Sequence, residues 1–460
     1  MNKKSLILSV IILCVRTLAQ DSILYFDYVS DFHEGIAVVM NNNKFGAIDK
    51  TGKLIVPYDF DFIWDFQQGR ARVIKYSDGK TRKLNVNTHG IDTTSTHSFY
   101  ISYDPDANGC SYGFIDKKGN IVTPIIYDYA TDYYDYSVVN HNGKSGLIDT
   151  LGNVVIPIIY DRLFGACLTT DEKNNIIGGV LDKKTGFIDI TSGEVKIPFD
   201  YDEMIYATFS EGLTAIKKDG KYIYIDATGR ERLANEWDFA DNFHQGTAIA
   251  DKDNSSYIID NKGTVKKNIG KVIYYSANHN DGIKVVNYGK KNWAIYEGFD
   301  LISSNLDYGY VSQFSNNVFM VSNNKNNGKR IRYGCIDKRN NIIMPIKFKE
   351  IQSYPDGYYV VKKGRKKGYY HINDTTSNAT IAIKPSFQEA DGFYEGLARV
   401  VKKGKYGFID TNGKVVIPCE FDYARSFHEG MAAVRINGKW SFIDKEGNLK
   451  LRNYTQGWDK

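Results

Sequence analysis

The chain has 460 residues, of which 42% are hydrophobic and 25% charged, a composition that excludes an intrinsically disordered protein. The 34 Tyr, 24 Phe and 41 Gly, set against only 9 Pro, favour strands and tight turns over long helices. The formal net charge is only +5, which gives no support to nucleic acid as a partner.

The N-terminus has the features of an export signal. A basic start with Lys3 and Lys4 precedes an apolar run over residues 5–15, which is too short to span a bilayer. Thr17 and Ala19 then supply the small residues of a signal-peptidase site. We predict a signal peptide over residues 1–19 and export to the periplasm, the outer surface or the medium; an uncleaved anchor is the alternative. The mature chain is expected to have no transmembrane span.

The rest of the chain, residues 20–460, is a repeat. An Ile-Asp pair recurs along it at a spacing typical of a solenoid or a propeller. The pairs are Ile48-Asp49, Ile115-Asp116, Ile148-Asp149, Ile188-Asp189, Ile225-Asp226, Ile259-Asp260, Ile336-Asp337, Ile409-Asp410 and Ile443-Asp444. Phrases such as "FHEGIAVV" and "VIPIIYD" recur between them. Counting degenerate copies, we expect about twelve units of about 35 residues.

Each unit is predicted to contain three short antiparallel strands. After the Glu-Gly pair, apolar residues alternate, as in a strand with one buried face. In the copy at residues 404–418, Asp410 and Gly413 occupy the first and fourth positions of a type I turn between the second and third strands. We therefore interpret Asp410 and its equivalents as turn residues and not as functional acids. Pro418 should close the third strand or lie on a sheet edge.

These units are too small to bury their apolar faces alone and must stack on their neighbours. The predicted fold class is all-β, with tandem three-stranded antiparallel units forming a propeller-like or an open superhelical array. Residues 264–332 follow the repeat least closely and are the candidate seam of the array.

The segment "DPDANG" contains the one candidate metal site. Asp104, Asp106 and Asn108, followed by Gly109, match the first half of a calcium-binding loop, in which alternate oxygens wrap a hard cation. The second half does not match, because Ile115 stands where the loop needs a glutamate. A calcium site and a plain polar hairpin loop both remain open, and no other cofactor is expected.

Three further features are open to a functional or a structural interpretation. His33, His244 and His428 occupy the same slot in three copies of the Glu-Gly phrase, without any catalytic or metal-binding spacing. The basic turn at residues 362–368 could contact an anionic surface or simply form a solvated rim. Cys335 fills the slot of Phe408 and is expected to be a buried core thiol.

The phrase "GKYGFIDTNGKVVIP", followed by "FDYARSFHEGMAAVRINGKWSFIDKEG", resembles the bacterial WG-repeat family. The family's Trp-Gly pair is here Phe45-Gly46, Tyr406-Gly407 or Trp440-Ser441, among others. The resemblance covers nearly all of the mature chain. It implies a tandem β-repeat array, often exported, and implies no enzymatic activity and no catalytic residue.

We therefore expect an exported, non-catalytic scaffold that binds a protein or a cell-envelope polymer such as a glycan, and no nucleic acid. Stacked repeats present extended surfaces, and abundant tyrosine suits recognition. The alternative is a secreted or envelope hydrolase with a site at an end of the array or in the irregular region.

Overall fold

The computed structural model describes residues 22–77, 109–132, 135–164, 175–204, 207–233, 235–277, 282–289, 291–315, 317–323, 331–354, 357–373 and 378–453. All of its regular structure is strand, as predicted. The predicted signal peptide lies outside these residues. No helix long and apolar enough to cross a membrane is found within them.

The strands form consecutive small antiparallel sheets, and their bounds follow in chain order. β1 (Ser22–Ile23) comes first and pairs with the last strand, β43 (Arg452–Asn453). Sheet 1 contains β2 (Tyr28–Val29), β3 (Ile36–Asn41), β4 (Lys44–Asp49) and β5 (Leu54–Phe60); sheet 2 contains β6 (Phe62–Ile63), β7 (Arg70–Tyr76), β8 (Cys110–Asp116) and β9 (Ile121–Tyr127). Sheet 3 contains β10 (Tyr129–Ala130), β11 (Tyr136–His141), β12 (Lys144–Asp149) and β13 (Val154–Tyr160); sheet 4 contains β14 (Arg162–Leu163), β15 (Ile176–Leu181), β16 (Lys184–Asp189) and β17 (Val195–Asp202).

The middle of the chain continues the series. Sheet 5 contains β18 (Leu213–Lys218) and β19 (Lys221–Asp226); sheet 6 contains β20 (Phe239–Ala240), β21 (Thr247–Lys252), β22 (Ser255–Asp260) and β23 (Val265–Gly270). Sheet 7 contains β24 (Tyr274–Ala277), β25 (Ile283–Asn287), β26 (Asn292–Glu297) and β27 (Asp300–Asp307); sheet 8 contains β28 (Tyr310–Ser315), β29 (Val318–Ser322), β30 (Tyr333–Ile336) and β31 (Ile342–Phe348). The predicted seam at 264–332 falls largely on sheets 7 and 8 and stays a prediction.

The last sheets complete the array. Sheet 9 contains β32 (Glu350–Ser353), β33 (Tyr358–Lys363), β34 (Lys366–Asn373) and β35 (Asn378–Phe387). Sheet 10 contains β36 (Glu389–Tyr394), β37 (Leu397–Lys402), β38 (Lys405–Ile409) and β39 (Val415–Phe421); sheet 11 contains β40 (Tyr423–Ala424), β41 (Ala432–Ile436) and β42 (Lys439–Ile443).

The chain divides into two compact units. Unit 1 holds Met1–Cys110, Phe114–Ile121 and Tyr394–Lys460, and unit 2 holds Ser111–Gly113 and Val122–Phe393. Sheets 1 and 11 lie wholly in unit 1, and sheets 3 to 9 lie in unit 2.

The predicted three-stranded unit is confirmed and gains a fourth strand in most sheets. The extra strand is often only two residues long, as in β2, and follows the Tyr-Asp or Phe-Asp pair that ends the preceding unit. It pairs with the strand that begins after the Glu-Gly turn; for example, Val29 lies opposite Val39. Such four-stranded antiparallel sheets are the kind of unit that builds β-propellers.

Candidate functional site

The recurring Ile-Asp aspartates have the structural role that the repeat predicts. The Oδ1 atom of Asp410 accepts hydrogen bonds from the backbone N–H groups of Asn412 (3.0 Å) and Lys414 (2.8 Å). The N–H of Gly413 donates to the carbonyl of Asp410 at 2.9 Å, which closes the predicted turn. The carboxylate of Asp410 therefore stabilises the turn in which it lies.

A second contact, the glutamate latch, joins neighbouring Glu-Gly turns of unit 1. The Oε2 atom of Glu429 accepts from the N–H of Gly35 at 3.0 Å and lies 2.9 Å from the ammonium of Lys50. Burial raises the pKa of Glu429, but the hydrogen bonds from Lys50 and Gly35 outweigh it and hold the pKa below its usual range. The same latch is formed by Glu34 with Gly69 and Lys117, and by Glu395 with Gly430 and Lys445.

A third contact, the aspartate bridge, lies at the opposite end of the strands. The Oδ1 atom of Asp61 accepts from Lys44 in its own sheet at 2.7 Å, and its Oδ2 atom accepts from the N–H of Tyr76 in the next sheet at 2.9 Å. Asp27, Asp161, Asp202, Asp238 and Asp422 bridge a lysine and a neighbouring hairpin in the same way. The aspartate of the sequence phrase Tyr-Asp is thus explained by contacts between neighbouring sheets.

Two of the three histidines in the Glu-Gly slot meet in unit 1. His33 and His428 are far apart in sequence, yet their ring centroids lie 5.7 Å apart. The ring of Tyr394, which fills the same slot in the preceding copy, lies 5.7 Å from that of His428. The side chains of His33 and His428 remain 42% and 30% exposed, so solvent or a partner can reach both imidazoles.

Each of these imidazoles faces a carboxylate from the next copy of the repeat. The Nε2 atom of His33 lies 3.6 Å from Asp65 Oδ2, and that of His428 lies 3.8 Å from Asp31 Oδ2. Burial raises the pKa of Asp65, although the charge of His33 and a hydrogen bond from Ser30 act in the opposite direction. Among the described residues, no donor forms a hydrogen bond with the buried Oδ1 atom of Asp31.

Arg425 brings a positive charge to the same group. Its guanidinium lies 5.4 Å from the ring centre of Tyr28 and 5.5 Å from that of Trp440, within the range of cation–π attraction. Its charge is favoured by Tyr28 and Asp31, which outweigh the cost of burial and raise its pKa. We call Asp31, His33, Asp65, Tyr394, Arg425 and His428 the histidine site.

The histidine site departs from the repeat. At the turn position of Asp31 and Asp65, other copies carry Thr208, Asn242, Gly392 and Ser426. Paired acids and imidazoles are therefore not required by the turn itself. The slot of repeated histidines was visible in the sequence, but the facing carboxylates were missed because they come from different copies.

The predicted metal residues Asp104, Asp106 and Asn108 lie outside the described residues. Among the described residues on either side of residues 78–108, the N–H of Ser77 donates to the carbonyl of Gly109 at 2.8 Å. Within the part of the chain that the structure describes, no cluster of three or more His, Cys, Asp or Glu side chains is arranged to hold a metal ion.

Cys335 is a core thiol, as predicted. It is fully buried against Met344 and Phe348, and burial raises its pKa to about 12. A thiol with this pKa carries almost no thiolate at neutral pH and is a poor nucleophile.

Comparisons with known proteins agree with the repeat. The family described as "WG containing repeat" matches residues 24–45, 45–77, 112–144, 146–165, 186–222, 333–366, 377–406 and 406–440, more than half of the chain. A search of curated proteins finds no significant match.

Three solved structures illustrate how distant the structural matches are. A eukaryotic initiation factor matches with a TM-score of 0.40 and 10% identity, covering 74% of this chain and 97% of its own. Hsv2p of Kluyveromyces lactis matches with a TM-score of 0.32 and 9% identity, covering 55% of this chain and 97% of its own. The WD40 β-propeller domain of Doa1 matches with a TM-score of 0.25 and 10% identity, covering 52% of this chain and 90% of its own. These scores support no functional inference, whereas the family match is decisive: the chain belongs to the WG containing repeat family.

Proposed function

We propose that this protein is an exported, non-catalytic β-repeat scaffold that binds a protein or a cell-envelope polymer, and that the histidine site forms part of its contact surface. The observation that carries the proposal is the exposed pair His33 and His428, each backed by a carboxylate that the repeat does not require. A partner can stack on the imidazoles of His33 and His428, which solvent reaches.

The electrostatics of the site favour a hydrogen-bond donor or a cationic group as the contacting part of the partner. With neutral imidazoles, two carboxylates face one guanidinium, so one negative charge is left to compensate.

The binding test compares two positions of the same repeat slot. The mature chain, residues 20–460, is immobilised and exposed to detergent-solubilised envelope and to insoluble envelope polymer. His33→Ala with His428→Ala should lower retention of the recovered partner at least tenfold. His244 occupies the same slot of the repeat in unit 2, so the control variant His244→Ala should leave retention of the partner unchanged. Equal retention by all three proteins would argue against the histidine site, and histidine-dependent turnover of a glycan or peptide would replace binding by catalysis.

Export rests on the signal-like segment and needs its own test. Expression of the full chain followed by fractionation and N-terminal sequencing should yield a mature protein that begins at Gln20. A protein that keeps Met1 and stays in the cytoplasm would contradict the proposal.

A further inference from the structure

The hairpin between β33 and β34 carries an unusual concentration of positive charge. We call Lys362, Lys363, Arg365, Lys366 and Lys367 the basic hairpin. In the register of the two strands, Lys363 lies opposite Lys366 and Lys362 lies opposite Lys367. Like charges directly opposite each other destabilise a hairpin, so this sequence is not explained by the stability of the turn.

Ion pairs neutralise the basic hairpin only at Lys362 and Lys367, the two residues farthest from the turn. Lys367 lies 2.8 Å from Glu389, and Lys362 lies 3.5 Å from Glu350. At the tip, Lys363, Arg365 and Lys366 are exposed. Across the described residues, these three side chains make no ion pair with a carboxylate.

Both aspartate bridges that would flank this hairpin are absent. In the repeat, an aspartate follows the final aromatic residue of the outer strand and bridges two hairpins, as Asp61 does after Phe60. Lys349 follows Phe348 at this position before the basic hairpin, and Gln388 follows Phe387 after it. A charge reversal and a neutral amide thus replace the two acids that neutralise other hairpins.

Protection of a sheet edge does not account for these lysines. Lysines often guard an open edge strand against pairing with another chain. β33 and β34 are the two inner strands of sheet 9, and each already pairs on both sides. The positive charge therefore lies on a hairpin that has no open edge to guard.

We propose that the basic hairpin binds an anionic glycan polymer, with Lys363, Arg365 and Lys366 contacting successive carboxylate, sulfate or phosphate groups. The inference goes beyond the proposed function, because it uses another surface and names the chemistry of the ligand. The tip, residues 363–366, holds no aromatic side chain on which nucleic-acid bases could stack and no apolar side chain that could enter a membrane.

The test uses heparin as the anionic glycan and the mature chain in 50 mM salt. Lys363→Glu, Arg365→Glu and Lys366→Glu together should weaken heparin binding more than tenfold and flatten its dependence on salt. A control with the same change of charge is Lys218→Glu, Lys252→Glu and Lys262→Glu, three exposed lysines elsewhere in unit 2. This control should bind heparin within a factor of about three of the wild type.

A second variant restores the repeat without touching the tip. Lys349→Asp with Gln388→Asp returns the two missing acids and should weaken heparin binding several-fold. The histidine-site variants should bind heparin like the wild type, so failure of one proposal leaves the other standing.

Three results would overturn the inference. The first is no heparin binding by the wild type, and the second is an equal loss in the tip variant and its charge-matched control. The third is tighter binding to single-stranded DNA or to vesicles with anionic lipid than to heparin, since either would replace the glycan as the ligand. Far-ultraviolet circular dichroism of each variant establishes that the sheets are intact.

Discussion

Phe26 and Trp440 form a reciprocal backbone pair that links the two ends of the described chain. The N–H of Phe26 donates to the carbonyl of Trp440 at 2.9 Å, and the N–H of Trp440 donates to the carbonyl of Phe26 at 2.9 Å. In sheet 10 the equivalent pair is Tyr406 with Phe421, both from one copy of the repeat. The N-terminal segment therefore supplies part of the outer strand that sheet 11 lacks, inside unit 1.

Phe26→Ala should destabilise unit 1 strongly. Phe26 is only 3% exposed and packs in one core cluster with Trp440, Phe442 and Leu451. Removing such a side chain leaves a cavity and costs about 3–5 kcal/mol of unfolding free energy. Urea unfolding followed by tryptophan fluorescence measures the shift. Tyr25→Ala, at a neighbouring residue that is 43% exposed, should shift the midpoint little; equal shifts would show that the buried Phe26 side chain stabilises unit 1 no more than an exposed one.

The sequence predicted what lies within one copy of the repeat and missed what joins copies. The Asp410 turn and the alternation after each Glu-Gly pair depend on residues close in the chain, so their pattern is visible in one copy. The roles of Glu429 and Asp61 were not predicted, because their partners belong to a neighbouring sheet. Pairing of Phe26 with Trp440 was missed for the same reason.

Pro418 takes one of the two positions that the sequence predicted. It lies in β39, an edge strand of sheet 10, as expected for a residue without an N–H donor. The strand nevertheless continues to Phe421 and does not end at the proline. The register shifts there, because Tyr406 faces Phe421 while Phe408 faces Ile417.

Gly407→Ala tests this irregular register. An added Cβ at Gly407 would lie 2.6 Å from the carbonyl oxygen of Ile417 and 2.7 Å from the nitrogen of Cys419. Because these are backbone atoms of a paired strand, they cannot move away without disturbing the sheet. We therefore expect Gly407→Ala to lose about 1–3 kcal/mol of unfolding free energy.

The control for this variant is Gly404→Asn, measured by the same thermal or urea unfolding. Gly404 has a φ of 75° but open space around it, and Asn43 occupies the equivalent turn position in sheet 1 with a φ of 59°. Gly404→Asn should therefore lose clearly less unfolding free energy than Gly407→Ala. A harmless Gly407→Ala would show that the outer strand can move away.

Glu429→Gln should make the stability of unit 1 less dependent on pH. Because the pKa of Glu429 is lowered in the folded state, its stabilisation is complete above the unfolded value of about 4.3 and is lost as pH falls through the folded value. We expect a cost of about 0.5–1 kcal/mol at pH 7, because the pair with Lys50 is partly exposed, and a smaller cost at pH 3. Unfolding at both pH values measures it, with the exposed Glu446→Gln as control; a cost at pH 3 as large as that at pH 7 would contradict the ionic latch.

Asp65→Asn should stabilise the protein at neutral pH while weakening partner binding. Burial raises the pKa of Asp65, so its contribution to stability is fully present below the unfolded value of about 3.9 and is lost as pH rises through the folded value. Removing the charge should therefore gain about 1 kcal/mol at pH 7 and nothing at pH 3. Asp59→Asn, at a side chain that is 66% exposed, is the control for unfolding.

The combined result distinguishes a binding residue from a structural one. A stabilised Asp65→Asn that also retains less partner would indicate that the carboxylate is kept for binding at the expense of stability. A destabilised variant would instead show that the contact with His33, at 3.6 Å, outweighs the cost of burying the charge. Partner retention by His33→Ala in the same assay then decides whether the imidazole and the carboxylate act on the partner together.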